Sequence, residues 1–238
     1  MQNKSTLAEI ENRFDHDVRR FSNLETGQLT TLDSSFNMEL MAQGIAKYYP
    51  QLSSVLDIGC GAGNYDVKLL QYTSPMHMTL SDLSMPMLLK AQERVEALNT
   101  AGTTKIVKGD FRDLSVGEET FDVIMATAVL HHLRDDADWE TSFSNFYRWL
   151  KPGGSIWIFD LVKQATPSLQ QLIYDDRYGR YLTSLKDEKY RDEVFAYIEK
   201  EDSPRPLMYQ LDLLRHVGFK EVDILHKNLC FASYVAFK

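Results

Sequence analysis

Residues 53–65, with the sequence SSVLDIGCGAGNY, restrict the fold of this chain more than any other segment. Residues 55–58 are apolar except for one aspartate, which suits a strand that is buried on both faces. Three glycines follow at alternate positions, and glycine both tolerates a positive φ and lets a ligand approach the backbone closely. A helical pattern begins at Asn64. A strand, a glycine turn and a helix in this order predict a ligand-binding site at the end of a parallel strand.

Strand and helix patterns alternate from this segment as far as residue 161. The further strands predicted in this region are residues 76–81, 104–108, 121–127 and 155–161. Such alternation is typical of a parallel sheet with right-handed crossover connections. Two later strand patterns, residues 220–226 and 228–237, are joined by a tight turn and predict an antiparallel hairpin at the sheet edge.

Two helical regions lie outside this alternation. Thr6 and Glu9 fit a capping box at the start of a helix over residues 6–21, and a second helix is predicted over residues 33–48. The residues of the second helix that we expect to face inward are Phe36, Leu40 and Ile45.

These patterns predict two domains. Residues 1–50 would form a helical cap, and residues 51–238 the main domain. A tyrosine-rich helical insert at about residues 164–203 would belong to the main domain.

An acidic balance limits the classes of partner. The chain has 34 acidic and 26 basic residues, and its formal net charge of −8 opposes bulk binding to nucleic-acid phosphates. The two cysteines, Cys60 and Cys230, show neither a disulfide framework nor a zinc-binding spacing. Because a signal-peptide pattern and an apolar run of about 18 residues are both absent, we expect a cytoplasmic chain without a membrane span.

The glycine spacing and the aspartate before it separate two classes of ligand. A dinucleotide-binding fingerprint has its third glycine three positions after the second, whereas Gly63 follows Gly61 by two positions. The carboxylate of Asp57 would repel a pyrophosphate and attract an ammonium group. The segment therefore favours a ligand with an amino-acid moiety over a dinucleotide.

With these features the chain resembles the class I S-adenosylmethionine-dependent methyltransferases. The resemblance covers about residues 50–162 and rests on LDIGCGAG at residues 56–63, Asp82 after the second strand, GDF at 109–111, FDVI at 121–124 and LKPGG at 150–154. The closing hairpin also matches. The implied fold is α/β: a Rossmann-like, seven-stranded, mostly parallel sheet with helices on both faces and the last strand antiparallel. The N-terminal helices and the insert after the fifth strand would act as a lid.

The resemblance implies S-adenosyl-L-methionine as the cofactor and assigns residues to it. Asp57 would receive the ammonium of the methionine moiety directly or through water, and Asp82 would accept hydrogen bonds from both ribose hydroxyls. Asp110 would meet the adenine amino group. The other implied cofactor-binding residues are Gly59, Cys60, Gly61, Leu83, Phe111 and Thr127.

The acceptor side is expected to use a histidine pair and the lid. His131 is the candidate general base or positioning group, and its neighbour His132 would line the substrate entrance. The pair has no third ligand nearby in the sequence, so no metal site is predicted. The remaining candidate substrate-binding residues are Phe14, Tyr174, Arg177 and Tyr178.

The predicted activity is methyl transfer to a small-molecule acceptor. The sequence is compatible with either a monomer or a homodimer. A narrower similarity, to carboxy-S-adenosylmethionine synthases of tRNA wobble-uridine modification, rests on Phe14, Asp15 and Val18, the helical insert and the ending CFASYVAFK. Against it, the glycine loop lacks a serine, and residues 194–201 contain no arginine, although Arg191 lies just before them. A third alternative is an S-adenosylmethionine-binding module without catalysis.

Overall fold

A seven-stranded sheet forms the centre of the computed structural model, which describes residues 4–23 and 28–238. Its strands are β1 (Ser54–Ile58), β2 (His77–Asp82), β3 (Thr103–Lys108), β4 (Phe121–Thr127), β5 (Leu150–Leu161), β6 (Glu221–Asn228) and β7 (Phe231–Phe237). Their order is β3-β2-β1-β4-β5-β7-β6, in which β7 is antiparallel to both neighbours and the other pairs are parallel. The predicted α/β fold with its Rossmann-like sheet is therefore confirmed.

Helices surround this sheet. They are α1 (Leu7–His16), α2 (Val18–Phe21), α3 (Ser34–Tyr48), α4 (Asn64–Leu69), α5 (Met85–Glu96), α6 (Asp136–Trp149), α7 (Pro167–Gln170), α8 (Gly179–Leu185), α9 (Glu188–Glu201) and α10 (Leu207–His216). Short 3₁₀ turns cover Phe111–Asp113 and Leu130–His132, and a π-helical segment, Gln171–Tyr178, joins α7 to α8. Within the described ranges, none of these helices has the length and apolar character that crossing a membrane requires.

The sheet is buried on both faces because each face carries its own apolar layer. All five residues of β1 are buried, which agrees with the predicted central strand. On one face Met41 and Ile45 of α3 share an apolar cluster with Trp157 of β5. On the other face Phe143 and Phe146 of α6 pack against the sheet. The strand order reverses between β1 and β4, and ligands of such sheets bind beyond the strand ends at this point.

The helix predicted over residues 6–21 is divided in two. Its capping box is confirmed, because the Glu9 N–H donates to Oγ1 of Thr6 and the Thr6 N–H donates to the Glu9 carboxylate. Asp17, with φ −102° and ψ 8°, leaves the helical region and separates α1 from α2. The break brings the ring of Phe14 to 5.6 Å from that of Phe21.

The predicted orientation of α3 is right for Ile45 and wrong for Phe36. Ile45 is fully buried and Leu40 is half-buried, whereas Phe36 is 53% exposed and packs beside the ring of His226. The buried stripe of the helix consists of Asn37, Met38, Met41, Ala42 and Ile45. Successive helix residues are about 100° apart, so a residue two positions before Met38 lies on the opposite side.

The helical insert after β5 is present and reaches back to the N-terminal region. Its π-helical segment turns the ring of Tyr178 into the apolar core on the α3 face of the sheet. The Tyr178 hydroxyl donates to the backbone oxygen of Thr30 at 2.7 Å, and that of Tyr181 donates to the backbone oxygen of Leu29 at 2.6 Å. The insert is thus tied to the segment that precedes α3.

Candidate functional site

The ends of four parallel strands open into a cavity of about 950 Å³, which we call the first cavity. Its wall includes every predicted cofactor-binding residue except Asp57, namely Gly59, Cys60, Gly61, Asp82, Leu83, Asp110, Phe111 and Thr127. These residues follow β1, β2 and β3 or lie at the ends of β2 and β4. The parallel topology therefore brings together residues that are far apart in the sequence.

Two glycines of the loop after β1 are needed for different reasons. Gly59 has a φ of +65°, and a Cβ built on it would lie 2.5 Å from Cγ2 of Val129. Gly61 has a φ of +52°, and a Cβ built there would meet no atom within 4 Å. Gly59 therefore lets two loops pack, whereas Gly61 keeps the first cavity open for a ligand.

Asp82 is held as a fixed acceptor at the edge of the first cavity. Its Oδ2 accepts the Gly61 N–H at 2.9 Å, and its Oδ1 accepts the Ser84 N–H at 2.9 Å. Burial raises the pKa of Asp82, and these backbone N–H groups oppose the increase. Because an ionised carboxylate has about four lone-pair sites, both oxygens keep capacity for a donor in the cavity.

Asp110 lines the first cavity and is also paired with an arginine of this chain. Its carboxylate forms an ion pair with Arg112, which also donates to Asp138 at 2.8 Å. Arg112 itself lines the first cavity. The arginine thus fixes the orientation of Asp110 and brings a positive charge to the wall of the first cavity.

Asp57 lies behind the glycine loop and does not line the first cavity. It is 1% exposed, and its carboxyl group faces the carboxyl group of Asp66. Burial and the Asp66 carboxyl raise the pKa of Asp57 well above its ordinary value, and burial also raises that of Asp66. Two buried carboxyl groups in contact retain a proton. This placement favours an indirect contact with the cofactor over a direct one.

A second cavity, of about 1450 Å³, adjoins the first. The residues that line both cavities are Phe14, Phe21, Gln28 and Ala128. The aromatic residues that line only the second cavity are Tyr178, Tyr190, Tyr197 and Phe231. The second cavity therefore lies between the N-terminal helices, the insert and the start of β7.

An ion pair joins α1 to the end of α9 beside the second cavity. The Nε and Nη2 atoms of Arg13 donate to the carboxylate of Glu201 at 3.0 and 2.6 Å. The same guanidinium lies 4.1 Å from the ring centroid of Phe14 and 4.6 Å from that of Tyr197. A bidentate pair with stacking on two rings restrains both elements more than a simple charge contact would.

His131 lies in the wall of the second cavity on a rigid support. Its Nδ1 is hydrogen-bonded to Oδ1 of Asp160. Asp160 also accepts four backbone N–H groups, three from the turn after β4 and that of Leu161. Asp160, which is 1% exposed, therefore supports the loop and does not act as a ligand in either cavity. The Nε2 of His131 lies 3.7 Å from Oδ1 of Asp202.

The two neighbouring histidines differ in charge. Burial opposes the charged form of His131, but the carboxylates of Asp160 and Asp202 outweigh it and raise its pKa to about 9. Burial and the nearby His131 lower the pKa of His132 well below its ordinary value. Burial raises the pKa of Asp202 to about 6. At neutral pH these opposite pKa shifts favour a charged His131 beside a neutral His132.

The structure does not bring all of the predicted substrate-binding residues into one cavity. Phe14 and Tyr178 line the second cavity, and His132 lines the first. Tyr174 stacks on Phe195 with 4.8 Å between ring centroids and faces a third, outer cavity. Arg177 is exposed and lines neither the first nor the second cavity.

Comparison with known proteins connects this geometry to a family. Residues 55–154 match the family model described as a methyltransferase domain. The ubiquinone/menaquinone biosynthesis C-methyltransferase UbiE of Ruegeria sp. (strain TM1040) is 31% identical over 178 residues, which is 74% of this chain and 68% of that protein. The chain belongs to the S-adenosylmethionine-dependent methyltransferases. Its cofactor is S-adenosyl-L-methionine, as the motifs implied.

Phosphoethanolamine N-methyltransferases are also relatives of this methyltransferase chain. Phosphoethanolamine N-methyltransferase 1 of Triticum aestivum is 34% identical over 133 residues, which is 56% of this chain and 26% of that protein. Phosphoethanolamine N-methyltransferase 3 of Arabidopsis thaliana is 30% identical over 177 residues, which is 73% of this chain and 34% of that protein. The chain thus spans about a quarter to a third of the length of these relatives.

Solved methyltransferase structures share the fold. The Haemonchus contortus phosphoethanolamine N-methyltransferase 2, in complex with S-adenosyl-L-methionine, superposes with a TM-score of 0.63 at 17% identity. The match covers 92% of this chain and 46% of that one. An O-methyltransferase family protein from Burkholderia thailandensis superposes with a TM-score of 0.59 at 17% identity, covering 96% of this chain and 62% of that one.

The narrower similarity to carboxy-S-adenosylmethionine synthases finds no support in this site. Arg191, the arginine nearest to the expected position, donates to Asp192 at 2.8 Å. It lines neither the first nor the second cavity. The structure therefore gives it no role beside the cofactor.

Three residues of the site, Asp202, Arg13 and Arg112, were not predicted from the sequence. Arg112 directly follows the GDF motif, so its position could have drawn attention to it. Asp202 and Arg13 carry no local signal, because they lie in or beside helices whose ends meet only in the folded chain.

Proposed function

We propose that this chain transfers a methyl group from S-adenosyl-L-methionine to a small-molecule acceptor in the second cavity. The observation that carries the proposal is the junction of the two cavities, where four residues belong to both walls. A cofactor in the first cavity and an acceptor in the second would meet at this junction. The net charge of −8 supports a small molecule rather than bulk nucleic acid as the acceptor.

The first cavity has groups that suit the cofactor. Asp82 would accept the ribose hydroxyls, because its two oxygens are held in place and keep free acceptor sites. Gly61 would let the ligand approach the backbone. Asp110 and Phe111 would meet the adenine, and Thr127 the methionine portion. When bound, the cofactor supplies an electrophilic methyl group on a sulfonium.

On the acceptor side, the residues of this chain mainly position the reactants. His131 is proposed as the positioning group, because Asp160 fixes its ring and the residue lines the second cavity beside Asp202. Phe14 and Tyr178 would enclose the acceptor, and α1 with the insert would exclude water. Holding the two reactants in line provides a large part of the rate increase in such a displacement.

Turnover with defined acceptors tests this proposal. The purified chain would be incubated with S-adenosyl-L-methionine and either phosphoethanolamine-type amines or quinols, the compounds that the names of its relatives suggest. We expect S-adenosylhomocysteine and a methylated product to form in equal amounts, as measured by mass spectrometry. The Asp82→Asn variant serves as the control with impaired cofactor binding. Cofactor binding without turnover for any acceptor class would favour a non-catalytic module.

A further inference from the structure

We propose that His131, His132 and Asp202 form a binding site for a divalent transition-metal ion with the preferences of zinc. The three residues lie where the walls of the two cavities meet. The sequence showed only a histidine pair without a third ligand, and the fold supplies Asp202 from the end of the insert. Ion binding is independent of the proposed function, whereas a role of the ion in catalysis rests on it.

The donor atoms have the separations that a tetrahedral ion requires. Oδ1 of Asp202 lies 3.7 Å from Nε2 of His131 and 3.4 Å from Nδ1 of His132, and one ligand atom from each residue lies within 4.8 Å of the others. Zinc binds imidazole nitrogen and carboxylate oxygen at about 2.0–2.2 Å, so neighbouring ligands of a tetrahedral site are roughly 3.3–3.5 Å apart. Two of the three separations thus need little adjustment.

Two of these atoms lack any other partner. Nδ1 of His132 and Oδ1 of Asp202 are buried, and neither makes a hydrogen bond within the described part of the chain. Leaving a buried polar atom unpaired costs about 1–3 kcal/mol, more for a charged group. The two atoms lie 3.4 Å apart, and a bound cation would satisfy them together.

Asp160 supports His131 in the way that carboxylates support metal-bound histidines. It accepts the hydrogen bond at Nδ1 of His131, which leaves the lone pair of Nε2 for an ion once the ring is neutral. Asp160 is held in turn by four backbone N–H groups. The ring of His131 is therefore oriented before an ion arrives.

The nearby cations are already bonded to other groups. Arg13 is in the bidentate pair with Glu201. Arg134 donates to the backbone oxygens of Glu201 and Ser5, and Lys4 donates to the backbone oxygen of Asp202. Asp160 and Asp202 together bring two carboxylates to the site, which balance the charge of a divalent ion when both histidines are neutral.

Three protein ligands leave one position of a tetrahedral ion open, as in catalytic zinc sites. His131 and Asp202 both line the second cavity, so an oxygen or nitrogen atom of the acceptor could take this position. Such an ion would orient the acceptor and lower the pKa of a bound hydroxyl group, which releases its proton to water. The inference therefore favours an acceptor with a metal-binding oxygen or nitrogen next to the methylated atom.

Metal titration of the full chain tests the site. The protein would be stripped with a chelator, and zinc binding would be measured in competition with a chromophoric chelator. We expect one equivalent to bind with a Kd below about 1 μM. We also expect Co²⁺ to give the intense visible bands of a four-coordinate site.

Matched variants assign the ion to these residues. Asp202→Asn and His132→Gln should each weaken zinc binding by at least about 100-fold, because each removes one of three ligands. His216→Gln changes an exposed histidine at the end of α10 and should bind zinc as the wild type does. Circular dichroism would confirm that the variants fold. Zinc bound equally well by all variants, or by none including the wild type, would overturn the inference.

The two proposals fail in distinguishable ways. If the stripped chain binds no zinc but still methylates an acceptor, the metal site is wrong and the proposed function stands. If one zinc binds at these residues and no acceptor is methylated, the metal site stands without the proposed function. If zinc binds and restores turnover to the stripped chain, both are supported.

Discussion

The first and second cavities meet at Phe14, yet they are built in different ways. The first is formed by turns that follow parallel strands, and its key contacts connect side chains to backbone, as in the bonds of Asp82 to Gly61 and Ser84. The second is closed by side chains from opposite parts of the chain, as in the pair of Arg13 with Glu201. In the proposed function, cofactor binding thus belongs to the sheet, and acceptor binding belongs to the helices added around it. Mutations should separate the two.

The largest effect is expected for Asp82→Ala. Each charge-assisted hydrogen bond to a ribose hydroxyl contributes about 1.5–3 kcal/mol, so losing both should raise the Kd for S-adenosyl-L-methionine by about 100-fold or more. Isothermal titration calorimetry measures this change. Asp82→Asn, which keeps the shape, should lose less affinity. Because Asp82 is not one of the three proposed metal ligands, zinc binding at His131, His132 and Asp202 should stay within about threefold of the wild type. A wild-type cofactor Kd in Asp82→Ala would remove Asp82 from the cofactor site.

The next comparison uses the two glycines of the same loop. Gly61→Ala should weaken cofactor binding by about tenfold, because its Cβ would point into open space in the first cavity. Gly59→Ala should cost about 1–3 kcal/mol more in unfolding free energy than Gly61→Ala, because its Cβ would overlap Val129. Urea denaturation and calorimetry would be applied to both variants. Equal losses of stability would contradict this division between packing and ligand access.

A smaller effect is expected for substitutions in the ion pair of Arg13 with Glu201, which lies beside the second cavity. Arg13→Met and Glu201→Gln should each raise the KM for the acceptor several-fold while the Kd for the cofactor changes little, because neither residue lines the first cavity. A double-mutant cycle in urea should give a coupling of about 1–2 kcal/mol between the two residues. A coupling near zero would mean that the ion pair does not hold the two elements together. If the affinity for the cofactor fell as much as the affinity for the acceptor, the two cavities would not function separately.

The smallest effect concerns the carboxyl pair behind the first cavity. Burial raises the pKa of both Asp57 and Asp66 above the ordinary value of about 4, so the folded chain binds more protons than the unfolded chain above that pH. The contribution of this pair to the free energy of unfolding therefore falls as the pH rises from about 4.5 to 8. Asp66→Asn cannot ionise and should be more stable than the wild type by about 1 kcal/mol at pH 8, with a smaller difference at pH 4.5.

Urea denaturation at both pH values measures this effect. Asp212→Asn, a change at an exposed and singly paired aspartate of α10, is the control and should follow the wild type at both. If Asp66→Asn and the wild type showed the same dependence on pH, the pair would not retain its proton in the folded chain.

The sequence predicted the sheet well because its signals are local. β4 was predicted at residues 121–127 and has those bounds. The break at Asp17 was missed, because no proline or glycine marks it. The inward orientation of Phe36 was wrong, because an apolar residue near a helix start can lie on either side.

The sequence by itself determined the order of the strands and helices, the cofactor and the residues at the ends of the strands. A parallel α/β topology brings those strand ends to one edge of the sheet, so the sequence motifs were enough to predict which residues meet there. Only the tertiary structure decided that Asp82 and Asp110 face the first cavity while Asp57 and Asp160 are buried behind it. Only the fold, likewise, brought Asp202 to the histidine pair. These outcomes depend on how distant helices pack, and side-chain contacts between distant elements leave no periodic or local pattern in a sequence.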